Sequence, residues 1–333
     1  MSCRGLIVAI AALMTSSAAA APVKAPASAP QSTTTPKSTL TVRIFDAGHG
    51  DGILLRTSSG HVVLIDAGRG DKQRLGDNLV KRRLLPYFRK HKISHLDAFI
   101  ITHPHWDHYG DPQSLARGVR IKTIFSNTDT FAWLPGLQRL APTRALSRGD
   151  VLRFGELTLE VLNPPKKRHH RGDGIVATNN RSLVLRARFG AHRLLFAGDL
   201  MFAGERELLR RQRKKLRADV LKLGHHGVYS SSARWLRAVR PRWAIATCGE
   251  RWGKRGRDHL SSKLLRRLRA RRTRLLRTDR HGDVLIRTDG RHLEVLHGKT
   301  NRATRGSASE GRRPKRSRGR VQARRESATH MLH

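Results

Sequence analysis

Cysteine, acidic residues and long apolar runs are all scarce in this chain, and each scarcity narrows what it can be. Cysteine occurs only at Cys3 and Cys248 among 333 residues. Cys3 falls in the N-terminal leader described below, so Cys248 stands alone in the processed chain and no intramolecular disulfide is expected. Its place at the end of the apolar run Trp243 to Thr247 suits a small buried hydrophobe. Asp and Glu total 25 against 67 Lys and Arg, a formal net charge of +42. Such a field attracts polyanions, nucleic acid first, with anionic envelope polymers and membrane surfaces behind it. The excess is spread along the whole chain, so free use of Arg on solvated surfaces is the plain alternative. The apolar run Leu6 to Met14 is too short to anchor in a bilayer, and no other stretch is long enough to try.

That run follows Arg4 and precedes the small residues Ala18 to Ala21. A basic start, a short apolar core and an A-x-A site describe a secretory signal peptide, expected over residues 1–21. The processed chain is therefore expected to be exported, to periplasm or medium, with no transmembrane segment. Residues 22–38, rich in Ala, Pro, Ser and Thr, read as a flexible linker. Residues 299–333 are basic and nearly devoid of apolar side chains, and read as a disordered cationic tail.

The stretch between them, 39–298, has the texture of one folded domain. Short apolar runs broken by Gly and Asp predict strands over 40–45, 53–56, 62–65 and 98–101. A helical pattern covers 79–91, and Pro86 should kink or split it. The second half predicts strands over 121–125, 151–154, 157–162, 182–188, 192–196, 219–223 and 243–248. Three more close the domain near Leu275, at 284–287 and at 292–296. Helices are predicted over 203–215, 232–239 and 260–271. Mixed strands and helices in two similar halves predict an α/β architecture of two sheets packed face to face with helices outside.

Three strand ends carry the chemistry. The apolar run 96–101 leads into Thr102-His103-Pro104-His105-Trp106-Asp107-His108. His103 and His105, on alternate positions past a firmly held strand, can converge on one cation, and Asp107 and His108 can turn toward a second. Zinc accepts this mixture of nitrogen and oxygen donors. A surface loop that is merely rich in histidine is the bland alternative, and spacing, ligand type and the preceding strand all tell against it. The strand Leu195-Phe196-Ala197-Gly198-Asp199 ends in a carboxylate, and Lys222-Leu223-Gly224-His225-His226-Gly227 ends in two imidazoles. Alone, Asp199 is more readily a helix N-cap and His225 or His226 a loop residue. With His103 to His108 upstream, in this order, the joint reading is a metal site.

Taken together, these segments resemble the metallo-β-lactamase superfamily, and within it the hydrolase domain of ComEC-type DNA-uptake proteins. The resemblance is carried by Phe45 to Asp51, Leu64 to Gly68, His103 to His108, Asn180 to Leu185, Ala197 to Asp199 and Gly224 to Gly227. It implies a four-layer αββα sandwich with a site for two divalent metal ions, zinc or else manganese, at one edge of the sheets. By resemblance, His103 and His105 hold the first ion, Asp107, His108 and His225 hold the second, and Asp199 bridges them. Asp107 and Asp199 are thus the carboxylates closest to the chemistry, and Asp66 supports the metal loop from beneath. His226, Asn180 and Ser182 fall where they would steady a ligand or touch substrate. His259 matches a histidine that would contact phosphate or protonate a leaving group, and a helix-capping role carries equal weight. Asp46 and Asp51, in the opening turn, look structural.

The chain departs from the pattern in places. The wider superfamily supplies a third imidazole to the first ion, where this chain reads Asn179-Asn180-Arg181-Ser182. His169 and His170 lie nearby in a basic loop and are weak substitutes. His49 stands where the resemblance leads one to expect Gln. The implied activity is hydrolysis by metal-activated water. With the basic field, it points to a phosphodiesterase or nuclease acting on DNA. A hydrolase of lactones, thioesters or β-lactams is the second reading, and a non-catalytic binder of DNA or other polyanions the third.

Overall fold

The computed structural model describes residues 38–70, 78–166, 174–249 and 260–298. The expected leader, almost all of the linker and the basic tail lie outside them, as do His169, His170 and His259.

Period-two alternation decides the layers. In the strand Leu40–Ile44, the side chains of Leu40, Val42 and Ile44 are buried while Thr41 and Arg43 are half-buried. This strand sits inside an eight-stranded sheet. Its order is Leu293–His297, Val284–Thr288, Leu40–Ile44, Gly52–Thr57, Val62–Ala67, Ala98–Ile100, Ile124–Ser126 and Thr143–Ala145. The second sheet has seven strands, ordered Arg274–Arg277, Trp243–Ala246, Val220–Lys222, His192–Phe196, Val184–Phe189, Leu157–Asn163 and Val151–Phe154. Val42, Ile53 and Val63 of the first sheet share one core with Leu159, Leu185 and Phe196 of the second, so the sheets pack face to face. On the outer face of the first sheet, Leu54, Leu64 and Phe99 pack against Leu84, Phe88 and Leu115 from helical segments. On the outer face of the second, Leu195, Leu221 and Ala244 pack against Leu208, Trp235 and Leu268. The layers are therefore helix, sheet, sheet, helix, as the resemblance implied.

Parallel pairing places the functional ends together. Val62–Ala67, Ala98–Ile100 and Ile124–Ser126 run parallel in the first sheet. His192–Phe196, Val220–Lys222 and Trp243–Ala246 run parallel in the second. Parallel strands present their carboxyl ends on one edge, where ligands of open α/β sheets bind. Asp66, His103, Asp199, His226 and Thr247 all lie at or just past those ends.

Several local expectations needed revision. The run 121–125 splits, because Arg120–Ile121 pairs with His95–Leu96 in a separate ribbon and only Ile124–Ser126 enters the main sheet. The helix over 79–91 changes type where Pro86 was expected to disturb it, a π-helical Val80–Leu84 segment giving way to the α-helix Leu85–Lys90 with Pro86 in its first turn. The helix at 203–215 ends at Arg211, followed by a separate 3₁₀ turn at Arg213–Lys215. Five short α-helices, Trp106–Tyr109, Pro112–Gly118, Thr128–Trp133, Ile175–Asn180 and Thr278–His281, were not anticipated. Each is too brief to show helical periodicity. Among the described residues no helix is long and apolar enough to cross a membrane.

Candidate metal centre

The two oxygens of Asp199 divide the cluster. Its Oδ2 lies 3.6 Å from His103 Nε2, which is itself 3.0 Å from His105 Nδ1. Its Oδ1 lies 3.2 Å from His108 Nε2 and 3.4 Å from His226 Nε2. Asp107 Oδ2 completes the second side, 3.5 Å from His226 Nε2 and 3.9 Å from His108 Nε2. The set Asp107, His108, Asp199 and His226, and the set His103, His105 and Asp199, each gather donor atoms within 4.8 Å of one another.

Oxygen partners aim the imidazoles. Asp66 adopts a left-handed backbone at the end of its strand, with φ of 54°. It accepts from Thr102 N at 2.7 Å, Thr102 Oγ1 at 2.8 Å and His108 Nδ1–H at 2.8 Å. With its hydroxyl proton given to Asp66, Thr102 Oγ1 accepts from His103 Nδ1–H at 3.1 Å. Likewise Thr247 Oγ1 donates to Asp51 Oδ1 at 2.6 Å and accepts from His226 Nδ1–H at 3.0 Å. In each case Nδ1 is turned to an oxygen partner and Nε2 faces the centre, the orientation in which a metal could take the place of a proton on Nε2.

The expectation for the imidazole pair needs correcting. His226, not His225, stands in the four-member set. Both residues have left-handed backbones, with φ of 44° and 55°, in the tight Gly224–Gly227 turn. There His225 Nδ1–H donates to Val228 O at 3.0 Å while His226 is fully buried against Asp199. Asn180 is also committed elsewhere. Its Oδ1 accepts from Met201 N and Gly204 N, and its Nδ2 donates to Val176 O. Ser182 Oγ accepts from Asp199 N at 3.0 Å and so steadies Asp199 through its backbone. The neighbouring Asn179 leaves a buried Oδ1 without a hydrogen-bond partner. His259 lies outside the described residues.

Three residues beside the centre were undervalued. Lys222 is fully buried, with Nζ against Asp51 Oδ2, donating to Gly198 O at 3.1 Å and 3.9 Å from Asp199 Oδ1. A lysine inside an otherwise apolar strand was the available signal, since a buried ammonium must be paired. Asp51 thus joins Lys222 to Thr247 and, through it, to His226. His49 Nε2 lies 3.4 Å from Asp107 Oδ2, and its ring centroid is 4.3 Å from that of His226. The turn bearing it is docked on the metal loop by Asp51 N donating to Asp107 O at 3.2 Å. A Cβ at Gly50 would stand 2.5 Å from that same carbonyl, which accounts for a glycine there.

The charges explain why the cluster suits cations. Burial alone would lower the pKa of His108 and His226, yet the surrounding carboxylates, Asp199 foremost, outweigh it. They hold His108 well above its usual value and push His226 up to about 9. Burial likewise disfavours the Asp199 carboxylate, but His108 and His226 hold it well below the ordinary range. His103 and His105 are pushed down, chiefly by burial, and stay neutral. His108 Nε2, Asp199 Oδ1 and His226 Nε2 are nonetheless buried without hydrogen-bond partners. Buried polar atoms are rarely left so. Protons on the two imidazoles stand in for positive charge that a divalent ion would supply, and the donor set fits such an ion.

A helix–sheet–sheet–helix sandwich with a buried His/Asp centre for divalent cations, at the carboxyl ends of its parallel strands, is the architecture of metal-dependent hydrolases. The chain belongs to the metallo-β-lactamase superfamily, whose family model matches residues 46–242. It is 28% identical over 273 residues to ComE operon protein 3 of Bacillus subtilis, covering 71% of this chain and 34% of that one. It is 29% identical over 248 residues to competence protein ComA of Neisseria gonorrhoeae, covering 74% and 32%. The chain thus spans about a third of the length of these curated relatives. Among solved structures, the metallo-beta-lactamase fold protein YhfI of Bacillus subtilis matches with a TM-score of 0.53, covering 76% of this chain and all of that one. At 15% identity that likeness speaks to the fold alone.

Proposed function

We propose that the chain is an exported phosphodiesterase that cuts DNA with two divalent cations, zinc or manganese. The observation that carries this reading is the division of donors about the two Asp199 oxygens, His103 and His105 on one side, His108, Asp107 and His226 on the other. Two sequence-level features support it: a net charge of +42 and a relative, ComA of Neisseria gonorrhoeae, named as a competence protein. His103, His105 and Asp199 would hold one cation, and Asp107, His108, Asp199 and His226 the other. Such a pair, when bound, makes water a nucleophile near neutral pH and neutralises charge developing on phosphoryl oxygens. The protein's own part is preorganisation. Asp66, Thr102 and Thr247 fix the imidazoles, Ser182 fixes Asp199, and Lys222 holds Asp51 in place. Arg and Lys on the surface hold the phosphate backbone in register. Export is supported by the leader-like residues 1–21.

The test is incubation of the processed protein with plasmid and single-stranded DNA in the presence of Mn²⁺ or Zn²⁺. Cleavage that disappears with chelator, and in His103→Ala and Asp199→Ala variants, is expected. No cleavage by the wild type, or equal cleavage by the variants, would contradict the proposal. Turnover of lactones or thioesters with DNA untouched would move the same site to small-molecule hydrolysis.

A further inference from the structure

A ledge of exposed apolar side chains borders the metal centre on its His105 side. Among the described residues few large hydrophobic side chains are exposed, and Trp133, Ile175 and Val176 are among them, at 65%, 71% and 56% exposure. Trp133 and Ile175 line a shallow cavity of about 60 Å³ together with Pro104, His105 and Thr178. Trp133 ends the helix Thr128–Trp133, and Ile175 and Val176 open the helix Ile175–Asn180.

Both helices are braced against the metal loop. Asn127 Oδ1 caps the first by accepting from Thr130 N at 2.8 Å. Its Nδ2 donates to Thr102 O, the residue before His103, and at 2.9 Å to Arg181 O, at the end of the second helix. Arg181 Nε pairs with Asp129 Oδ2 at 2.6 Å and ties the helices together again. Scattered surface hydrophobes are ordinary, but apolar side chains grouped beside a reactive centre mark a binding surface.

We infer that Trp133 and Ile175 form a stacking ledge for an unpaired base of the strand held at the metal centre, so that single-stranded DNA is taken ahead of duplex. This rests on the DNA reading above. The cavity is too shallow to enclose an acyl chain, whereas an indole beside it offers a face on which a base can lie. A net charge of +42 suits the phosphates on either side of that base. Bases inside a duplex are already stacked and cannot use the ledge.

Binding of the Mn²⁺-loaded full chain to short labelled oligonucleotides tests this by fluorescence anisotropy, with phosphorothioate backbones to slow cleavage. The strands are single or paired, and the proteins are wild type, Trp133→Ala, Trp133→Phe and the surface control Val151→Ala. A stacked base contributes about 1–3 kcal/mol, so Trp133→Ala should weaken single-strand binding about 5- to 150-fold. Duplex binding should hardly change, and Trp133→Phe should restore most of the single-strand affinity. Single-strand affinity of Trp133→Ala within about twofold of wild type, or equal losses for single strand and duplex, would overturn the ledge while leaving the DNA reading intact. Wild type that binds neither form would overturn both. Loss of binding to a non-hydrolysable acyl-thioester analogue, with single strands unaffected, would assign the ledge to an acyl group instead.

Discussion

Replacing Lys222 with Met removes a buried charge and keeps the stem, so it isolates the electrostatics beside the centre. Lys222 is fully buried, and its ammonium lies against Asp51, donates to Gly198 O at 3.1 Å and sits 3.9 Å from Asp199 Oδ1. Met fills nearly the same volume, so a cavity contributes little. What remains is the Asp51 carboxylate, 1% exposed, with the Thr247 hydroxyl at 2.6 Å and the more distant imidazoles of His226 (Nδ1 at 3.5 Å) and His108 (Nδ1 at 3.9 Å), both already committed to other acceptors. Breaking a buried ion pair from one side typically costs about 3–5 kcal/mol. At about 2–4 °C per kcal/mol for a domain of this size, the melting temperature should fall by about 6–20 °C. Thermal and urea denaturation with chelator present would measure this, since bound metal would otherwise add to the stability. The double variant Asp51→Asn/Lys222→Met should regain most of the loss, because no unpaired charge stays buried. A single variant within about 1 kcal/mol of wild type would refute the pairing. So would a double variant as unstable as the two single losses summed.

Three further outcomes follow from the same geometry. His226→Ala should lower the bound metal per chain while His225→Ala leaves it near the wild-type value, measured by elemental analysis after dialysis; the reverse pattern would return the ligand role to His225. In the metal-free chain, the raised His226 pKa contributes stability that is complete below its unfolded value of about 6.5 and lost as pH rises through about 9. A cation must displace that proton, so metal affinity should rise with pH over the same window, and calorimetry in buffers of different ionisation enthalpy should detect proton release at neutral pH. Uptake without proton release would contradict this. Burial and Asp279 push the Cys248 thiol up to about 12, so it should resist thiol reagents in the native chain and react once urea unfolds it.

Much of the framework was legible because alternation and strand-end motifs are local signals. Val42, Ile44, Leu159 and Phe196 announce their layer by spacing alone, and His103, His105, Asp107 and His108 announce a centre by proximity in the chain. Asp199 was legible as the end of a buried strand. His226 was not, because two adjacent histidines in a turn look alike until the backbone dihedrals choose between them. The Asp51–Thr247–His226 relay was hidden for a different reason. It joins residues 196 apart in sequence, and a threonine that orients an imidazole leaves no pattern around it. Trp133 escaped notice because its helix is a single short stretch. Its exposure emerges only when Asn127 and Arg181 fix that stretch beside His105.

On the proposed function, Asp199 joins two cation sites into one hydrolytic centre. The most direct test is metal stoichiometry of the processed protein measured beside DNA cleavage, wild type against Asp199→Ala. The wild type should carry about two divalent ions per chain and cleave DNA, with both lost together in the variant. A variant that keeps its full complement of metal and cuts DNA at the wild-type rate would contradict it.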